Sequence, residues 1–300
     1  MPAAAASLHS CEVTSANRSL VVVTHNDQEL FEFGIAMELF ARNRTDLGVP
    51  WYVTNTVAAR GRRSLGRGGV VIAPTAPLNA IDEAQTIVLP GWPTSGEPAP
   101  ARLRDKLRSA HARGACLLSI CTGAFLLASV GLLDGRRATT HWMHSARFRS
   151  LYPAVDFVAD VLYVDAGNII TSAGSAAGLD AGIHLIRRDF GPNIANAVAR
   201  RMVCAPHRDG GQAQYVDTPV PASPQRTLAP VMDWARVTLH EPISVARMAD
   251  KMAMSERTFL RHFHAAVGMP PAQWLARARI DHARTLLEST VLPLTTVSEQ

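Results

Sequence analysis

The sequence is short of anything that would place it in a membrane, outside the cell or around a metal ion. No run approaches the roughly 18 uninterrupted apolar residues that a membrane-spanning helix needs, so none is expected. The N-terminal MPAAAASLHS lacks both an early charged segment and a long apolar core, and so does not read as a signal peptide. Cysteine is scarce: Cys11, Cys116, Cys121 and Cys204 are the four in 300 residues, and their spacing fits no metal-ligand pattern. Reduced thiols in a cytoplasm are the simplest account, with no metal or other cofactor expected. Repeats and low-complexity tracts are missing too, apart from a short alanine run near the start.

What is present is a chain long enough for about two domains, 47% apolar, with glycine and proline spread throughout. The formal net charge is +5, but residues 227 to 300 carry 8 basic and 7 acidic side chains against 22 and 18 in residues 1 to 226. The basic surplus therefore lies outside the C-terminal part, which counts against a strongly cationic nucleic-acid surface there.

Residues 1–17 read as a disordered start. After them SLVVVT, from Ser19 to Thr24, is a β-branched run fit for a buried strand, and a helix is expected from about Glu29 to Arg42. Strand-like runs recur at PWYVTNT, GVVIAP, QTIVLPG, CLLSI and NIITSAG, with helical segments expected over 99–113, 121–130, 140–150 and 175–202. Such alternation predicts an α/β domain with a parallel sheet. The proline-rich VDTPVPASPQRTLAP has little apolar periodicity, so 216–226 is read as a linker between a domain over 18–215 and another over 227–300.

In the second domain, ISVARMADKMAMSERTFLRHFHAAVGM reads as two short helices joined by a tight turn. Val245, Met248, Ala249 and Met252 recur at spacings of three and four and make one buried stripe. Ala253 and Met254 form the turn, Ser255 caps the next helix, and Gly268 with Pro270 and Pro271 ends it. The inward face of that second helix is Phe259, Phe263 and Val267. Its outward face carries Arg257, Leu260, Arg261 and His264, with Ser255 and Thr258 at its start. An α-helix is the right width for a DNA major groove, so these side chains are candidate DNA contacts. A helical hairpin whose charged face merely meets water satisfies the same periodicity.

The series SERTFLRHF, VGMPPAQWL and RARIDHARTLLEST resembles the AraC-type DNA-binding domain over about 60 residues. There a long helix opened by Pro271 joins two helix-turn-helix units. The resemblance implies a second unit after residue 290, of which this sequence carries Pro293, Leu294, Val297 and Glu299 before Gln300, so the second helix-turn-helix is incomplete. One unit makes few phosphate contacts, and weak binding is expected unless the protein forms a homodimer or the missing segment exists in the natural product.

In the first domain, CLLSICTGAFLLASVGLL passes directly from a buried strand into a helix with Cys121 at the junction. A side chain there sits at the carboxyl end of the strands, where open α/β sheets bind ligands. The helix N-terminus is expected to favour the thiolate. A small buried thiol with no chemistry is the plain alternative. The stretches SICTGAFLLASVGLLDGRRATTHW, TSAGSAAGLDAGIHLIRRDFG and VARRMVCAPHRDGGQAQ resemble the DJ-1/PfpI-like domain of GlxA-type regulators, most closely the FtrA subgroup, over most of residues 19 to 215. This implies a flavodoxin-like, class I glutamine amidotransferase-like fold, followed by an all-α helix-turn-helix domain.

In that superfamily the cysteine meets an acidic residue of the first helix, and ELFEFGIAMELF places Glu32 at the matching position. Lying among apolar residues, Glu32 needs a polar partner, and protonated Glu32 donating to a Cys121 thiolate would meet that need. The alternative is an exposed helical glutamate. Backbone N–H groups of the Pro90–Gly91–Trp92 turn, and that of Thr122, are expected to face the same cleft and bind an anion or carbonyl oxygen. His141 of ATTHW matches a pocket motif of related proteins, although a histidine before an apolar helix also serves as a packing or capping residue.

Protease-like members place histidine directly after the cysteine, and here Thr122 stands there, so a base beside the thiol is missing. The expectation is therefore a regulator without catalytic residues, binding an operator and a small-molecule effector, cytoplasmic and away from membranes. A cysteine-dependent enzyme of isonitrile-hydratase, amidase or glyoxalase type is the alternative, and a redox sensor acting through Cys121 oxidation is a third reading.

Overall fold

The protein is seen here as a computed structural model that describes residues 18–212, 214, 228–267, 269–290 and 292–299. The expected disordered start 1–17, the linker 216–226 and Gly268 lie outside the described residues.

Six strands make the main sheet: β1 (Ser19–Thr24), β2 (Val53–Ala58), β3 (Thr86–Pro90), β4 (Cys116–Ile120), β5 (Tyr163–Asp165) and β6 (Ile169–Ser172). Their order is β2-β1-β3-β4-β6-β5, parallel throughout except for the antiparallel edge strand β5. A parallel sheet is covered on both faces, which is why these strands read as continuous apolar runs. Alternate residues enter two separate cores. Val21, Val23, Ile87, Leu89 and Leu117 face one side, Leu20, Val22, Val88, Leu118 and Ile120 the other. Each such side chain contributes about 1.5–3 kcal/mol on burial.

The first face is covered by α2 (Ala101–Ala112), α3 (Gly123–Ser129) and α4 (Ser145–Leu151), through Leu103, Leu107, Phe125 and Phe148. The second is covered by α1 (Leu30–Ala36) with its π-helical continuation Met37–Ala41, and by α5 (Ala176–Phe190) and α6 (Pro192–Arg201).

Three expectations are corrected. The run GVVIAP does not join the main sheet: Val71–Ile72 pairs antiparallel with Ser64–Leu65 in a separate hairpin, turned by Gly68 and Gly69 at positive φ. Val70 and Val71 are about half exposed there, so their β-branched character signalled a strand but not a buried one. The helix expected over 175–202 is two, because Gly191 at φ 85° turns the chain and Pro192 opens α6 without needing a hydrogen bond for its nitrogen. The start of the 140–150 helix is a 3-10 turn over Trp142–His144.

The C-terminal region comprises α7 (Ala229–Val237), α8 (Val245–Lys251), α9 (Glu256–Val267), α10 (Pro271–Ser289) and α11 (Leu294–Glu299). Its own core joins Val231, Ala235, Met248, Ala249, Met252, Phe259, Phe263, Trp274 and Leu275. Ser244 caps α8 by accepting from the Arg247 N–H, and Ala253 takes φ 50° in the turn before α9. The long helix α10 lies against α6 of the larger region, and its Glu288 forms an ion pair at 2.6 Å with Arg187 of α5.

Candidate functional site

Cys121 is held at φ 56°, a left-handed conformation that a residue with a Cβ adopts at a cost. Neighbouring bonds fix it: its N–H donates to Ser172 O at 3.1 Å and its carbonyl accepts from Thr140 Oγ1 at 2.9 Å. Gly174, at φ 78°, packs so close that a Cβ there would stand 2.2 Å from that of Cys121. The elbow is thus built from the ends of β4 and β6 and the segment leading to Thr140.

Glu32 is buried, not an exposed helical glutamate, and its Oε1 accepts from the Ser175 N–H at 3.3 Å. Burial works against the expected thiolate. Burial, and after it the charge of Glu32, pushes the Cys121 thiol up to about 12, against which the Thr122 N–H acts more weakly. The helix behind it is only seven residues long, too short to offset that desolvation.

The anion-binding turn is also corrected. Proline has no N–H, the Gly91 N–H donates to Leu89 O, and the Trp92 N–H donates to Thr122 Oγ1 at 3.0 Å. These donors are consumed within the fold. Gly91 instead acts as a spacer at φ 100°, where an added Cβ would lie 3.6 Å from Thr122 Oγ1 and 3.7 Å from His25 Nε2.

His141 takes the capping role that the sequence allows. Its Nδ1 accepts from the Met143 N–H at 3.3 Å, capping the short turn. Burial lowers its pKa, and the charge of Glu32 partly offsets this, so the ring lies within electrostatic range of the Cys121–Glu32 pair. Sequence reasoning missed Gln214, a buried side chain that donates to Thr140 O and Val161 O and accepts from the Trp142 N–H at 2.9 Å. Nothing in the pattern around it signals that role.

It also missed a cavity of about 220 Å³ beyond Gly91, with His25, Ala59 and Trp92 among its walls, which neither Cys121 nor Glu32 lines. The only available signal was His25 and Asp27 directly after the β1 run, at the sheet edge where ligands bind.

In the smaller region α9 is two-faced as expected. Phe259 and Phe263 are fully buried, while Arg257, Leu260, Arg261 and His264 are exposed together on the other side. Ser255 caps the helix, its Oγ accepting from the Thr258 N–H at 3.3 Å and bonding the Thr258 hydroxyl at 2.9 Å. Both are exposed at the end of α9 beside Arg257.

The comparisons with known proteins agree with this division. Residues 18–188 match the DJ-1/PfpI family and residues 248–300 a helix-turn-helix domain. The HTH-type transcriptional regulator CdhR of Pseudomonas aeruginosa is 30% identical over 252 residues, 83% of this chain and 73% of that protein. The HTH-type transcriptional regulator GlxA of Rhizobium meliloti is 29% identical over 200 residues, 63% of this chain and 58% of that protein. Among solved structures, an AraC family transcriptional regulator from Pseudomonas putida superposes with a TM-score of 0.53 at 19% identity, covering 62% of this chain and all of that one. That last likeness concerns the fold. With a buried-thiol α/β domain in front and a solvent-facing α9 behind, the chain belongs to the DJ-1/PfpI family, in the branch that joins this domain to an AraC-type helix-turn-helix, and is a DNA-binding transcriptional regulator.

Proposed function

We propose that the α/β domain senses a small molecule and that its occupancy changes how α9 meets an operator. The observation that carries the DNA half is the exposure of Arg257 and Arg261 on the face of α9 opposite two fully buried phenylalanines. Arg257 and Arg261 are assigned to bases or phosphates, Leu260 to a thymine methyl, and Ser255, Thr258 and His264 to the flanking backbone. The reading includes a homodimer, since one helix-turn-helix makes few phosphate contacts. Gel shift on DNA selected from a random pool tests it: Arg257→Ala and Arg261→Ala should each weaken binding, and undiminished affinity in both would remove the assignment. An effector must bind two states of the protein unequally to have any effect on the operator.

The cysteine-enzyme reading has one observation in its favour, the strained elbow at Cys121. Against it stand a thiol pushed up to about 12 and the hydroxyl of Thr122, where a base would be needed. The same protonated sulfur weighs against a redox sensor at this position. Incubating wild type and Cys121→Ser with isonitriles, amides or 2-oxoaldehydes separates these readings, and the regulator without catalytic residues predicts no turnover by either.

A further inference from the structure

Between Asp46 and Asp82 the chain has no aspartate or glutamate, and this stretch holds Arg60, Arg62, Arg63 and Arg67. These four arginines equal the whole basic surplus of residues 1 to 226, 22 basic side chains against 18 acidic. All four are exposed, and among the described residues only Arg67 is paired, with Glu29 at 2.9 Å. The domain therefore concentrates its positive field on one loop.

Beside that loop lies a groove of about 600 Å³, walled by Arg62, Arg102, Pro74, Ala76, Pro77 and Leu78 among others. It is distinct from the His25 cavity, with which it shares only Ala59. Its volume is in the range of small-molecule sites and gives room for about twenty non-hydrogen atoms. The wall is fixed in advance. The Thr75 and Ala76 N–H groups donate to Thr56 O at 3.0 and 3.1 Å, and the Thr56 N–H donates to Thr75 Oγ1 at 2.9 Å, which stitches the proline-bearing segment to the edge strand β2. Arg102 stands in the first turn of α2 and donates to Asn79 Oδ1 at 2.7 Å, which aims the guanidinium and leaves the rest of its fork free. No side chain caps the N-terminus of α2, so the positive end of the helix adds to the field of Arg102. Among the described residues no carboxylate lines the groove, and Asp82 nearby is paired with Lys106 at 2.6 Å. Two unopposed guanidiniums match one compact dianionic group, which a phosphate monoester supplies and a single carboxylate does not. The apolar walls call for more than the phosphate alone. A dicarboxylate spreads the same charge over two groups and brings no body to cover the prolines.

We propose that this groove binds a phosphate monoester of about nucleotide size with an aromatic or apolar body, the phosphate held by Arg62 and Arg102 and the body laid against Pro74, Pro77 and Leu78. The site is independent of the sensor and operator readings, either of which can fail while it stands. It is tested by calorimetric titration of the full chain with 5′-AMP, 5′-UMP and phenyl phosphate, using adenosine, inorganic phosphate and succinate as comparison probes. At least one of the three esters is expected to bind, at least about tenfold more tightly than any comparison probe. Arg62→Ala and Arg102→Ala should each weaken that ester by about tenfold or more, and Arg62→Lys, which keeps the charge but loses the fork, by less. These positions are at the surface, and the melting temperature of each variant reports its folding. Arg149→Ala, which removes an exposed arginine of α4 outside the groove, should leave the affinity unchanged. No heat from any ester, adenosine binding as tightly as 5′-AMP, or equal affinity in wild type and both alanine variants would overturn the assignment. The same variants are offered random-pool DNA. DNA binding lost in Arg62→Ala and Arg102→Ala, without ester binding by wild type, would also overturn it and make the loop a nucleic-acid surface instead.

Discussion

Arg187 of α5 and Glu288 of α10 meet at 2.6 Å across the junction of the two regions, with their side chains only 14% and 19% exposed. Arg187 is held for this contact by Asn196 Oδ1 at 2.7 Å and Pro206 O at 2.9 Å, so it cannot turn away without losing both. Half-buried His207 stands beside it; burial, then Arg284 and Arg187, lower its pKa, which keeps a further cation out of the junction. Removing one partner of a shielded pair costs more than removing an exposed one. Glu288→Gln is accordingly expected to raise hydrogen exchange in α6 and the last turns of α10 while leaving the sheet and α9 unchanged. Equal exchange in α6 of wild type and variant would show that the pair does not hold the junction.

The contacts of α9 with DNA divide by their salt dependence. An arginine bonded to a base should cost about 1–3 kcal/mol on replacement and leave the slope of log affinity against log salt unaltered. An arginine on a phosphate should reduce that slope by about one. Fluorescence anisotropy at several salt concentrations with Arg257→Ala and Arg261→Ala is expected to give one of these signatures at each position. His262→Ala, at the position after Arg261 but on a half-buried face of the helix, should produce neither.

Gly174→Ala should be strongly destabilising. The new methyl would meet the Cβ of Cys121 at 2.2 Å, and the backbone at φ 78° disfavours any side chain. Overpacking and the left-handed backbone together are worth about 2–4 kcal/mol, read from the urea unfolding of the larger region. Gly174→Ala combined with Cys121→Gly should recover part of the overpacking share, since the Cys121 Cα still lies 2.8 Å from the new methyl, and none of the backbone share at Gly174.

Alkali should weaken the fold through its buried thiols. Above the ordinary thiol value of 9.0, an unfolded Cys121 loses its proton while the folded one keeps it to about 12. The unfolded state then binds fewer protons, so the stabilisation present in full below pH 9 is lost as pH rises across that window, by up to about 1.4 kcal/mol per pH unit. Cys116, pushed up to about 11 chiefly by burial, acts in the same sense. Cys121→Ala should therefore show a smaller fall in urea midpoint between about pH 8 and about pH 10 than wild type. In the same range, alkylation of native Cys121 by iodoacetamide, followed by mass spectrometry, should accelerate with pH without levelling off.

The central strands were legible in the sequence because a strand covered on both faces must be apolar at every position, as SLVVVT and CLLSI are. The edge strand Tyr163–Asp165 was not, being three residues long and half-exposed at its end. The two faces of α9 followed from helical periodicity alone, and Phe259 against Arg261 is as plain in the structure as in the letters. The neighbourhood of Cys121 was only partly readable. Glu32 could be placed by likeness, but the ionisation of the thiol depends on burial, which no local pattern reports. The fate of the Trp92 N–H depends on Thr122, thirty positions away. The His25 cavity was missed because its walls come from three strand ends that are neighbours only once the sheet has formed.

Gln214 fastens the end of the α/β region to the backbone at Thr140 and Val161 and to the nitrogen of Trp142. The chain heading for the helical region therefore leaves from the loop that carries His141. Whatever displaces that loop must either carry Gln214 along or break the three bonds that moor it there.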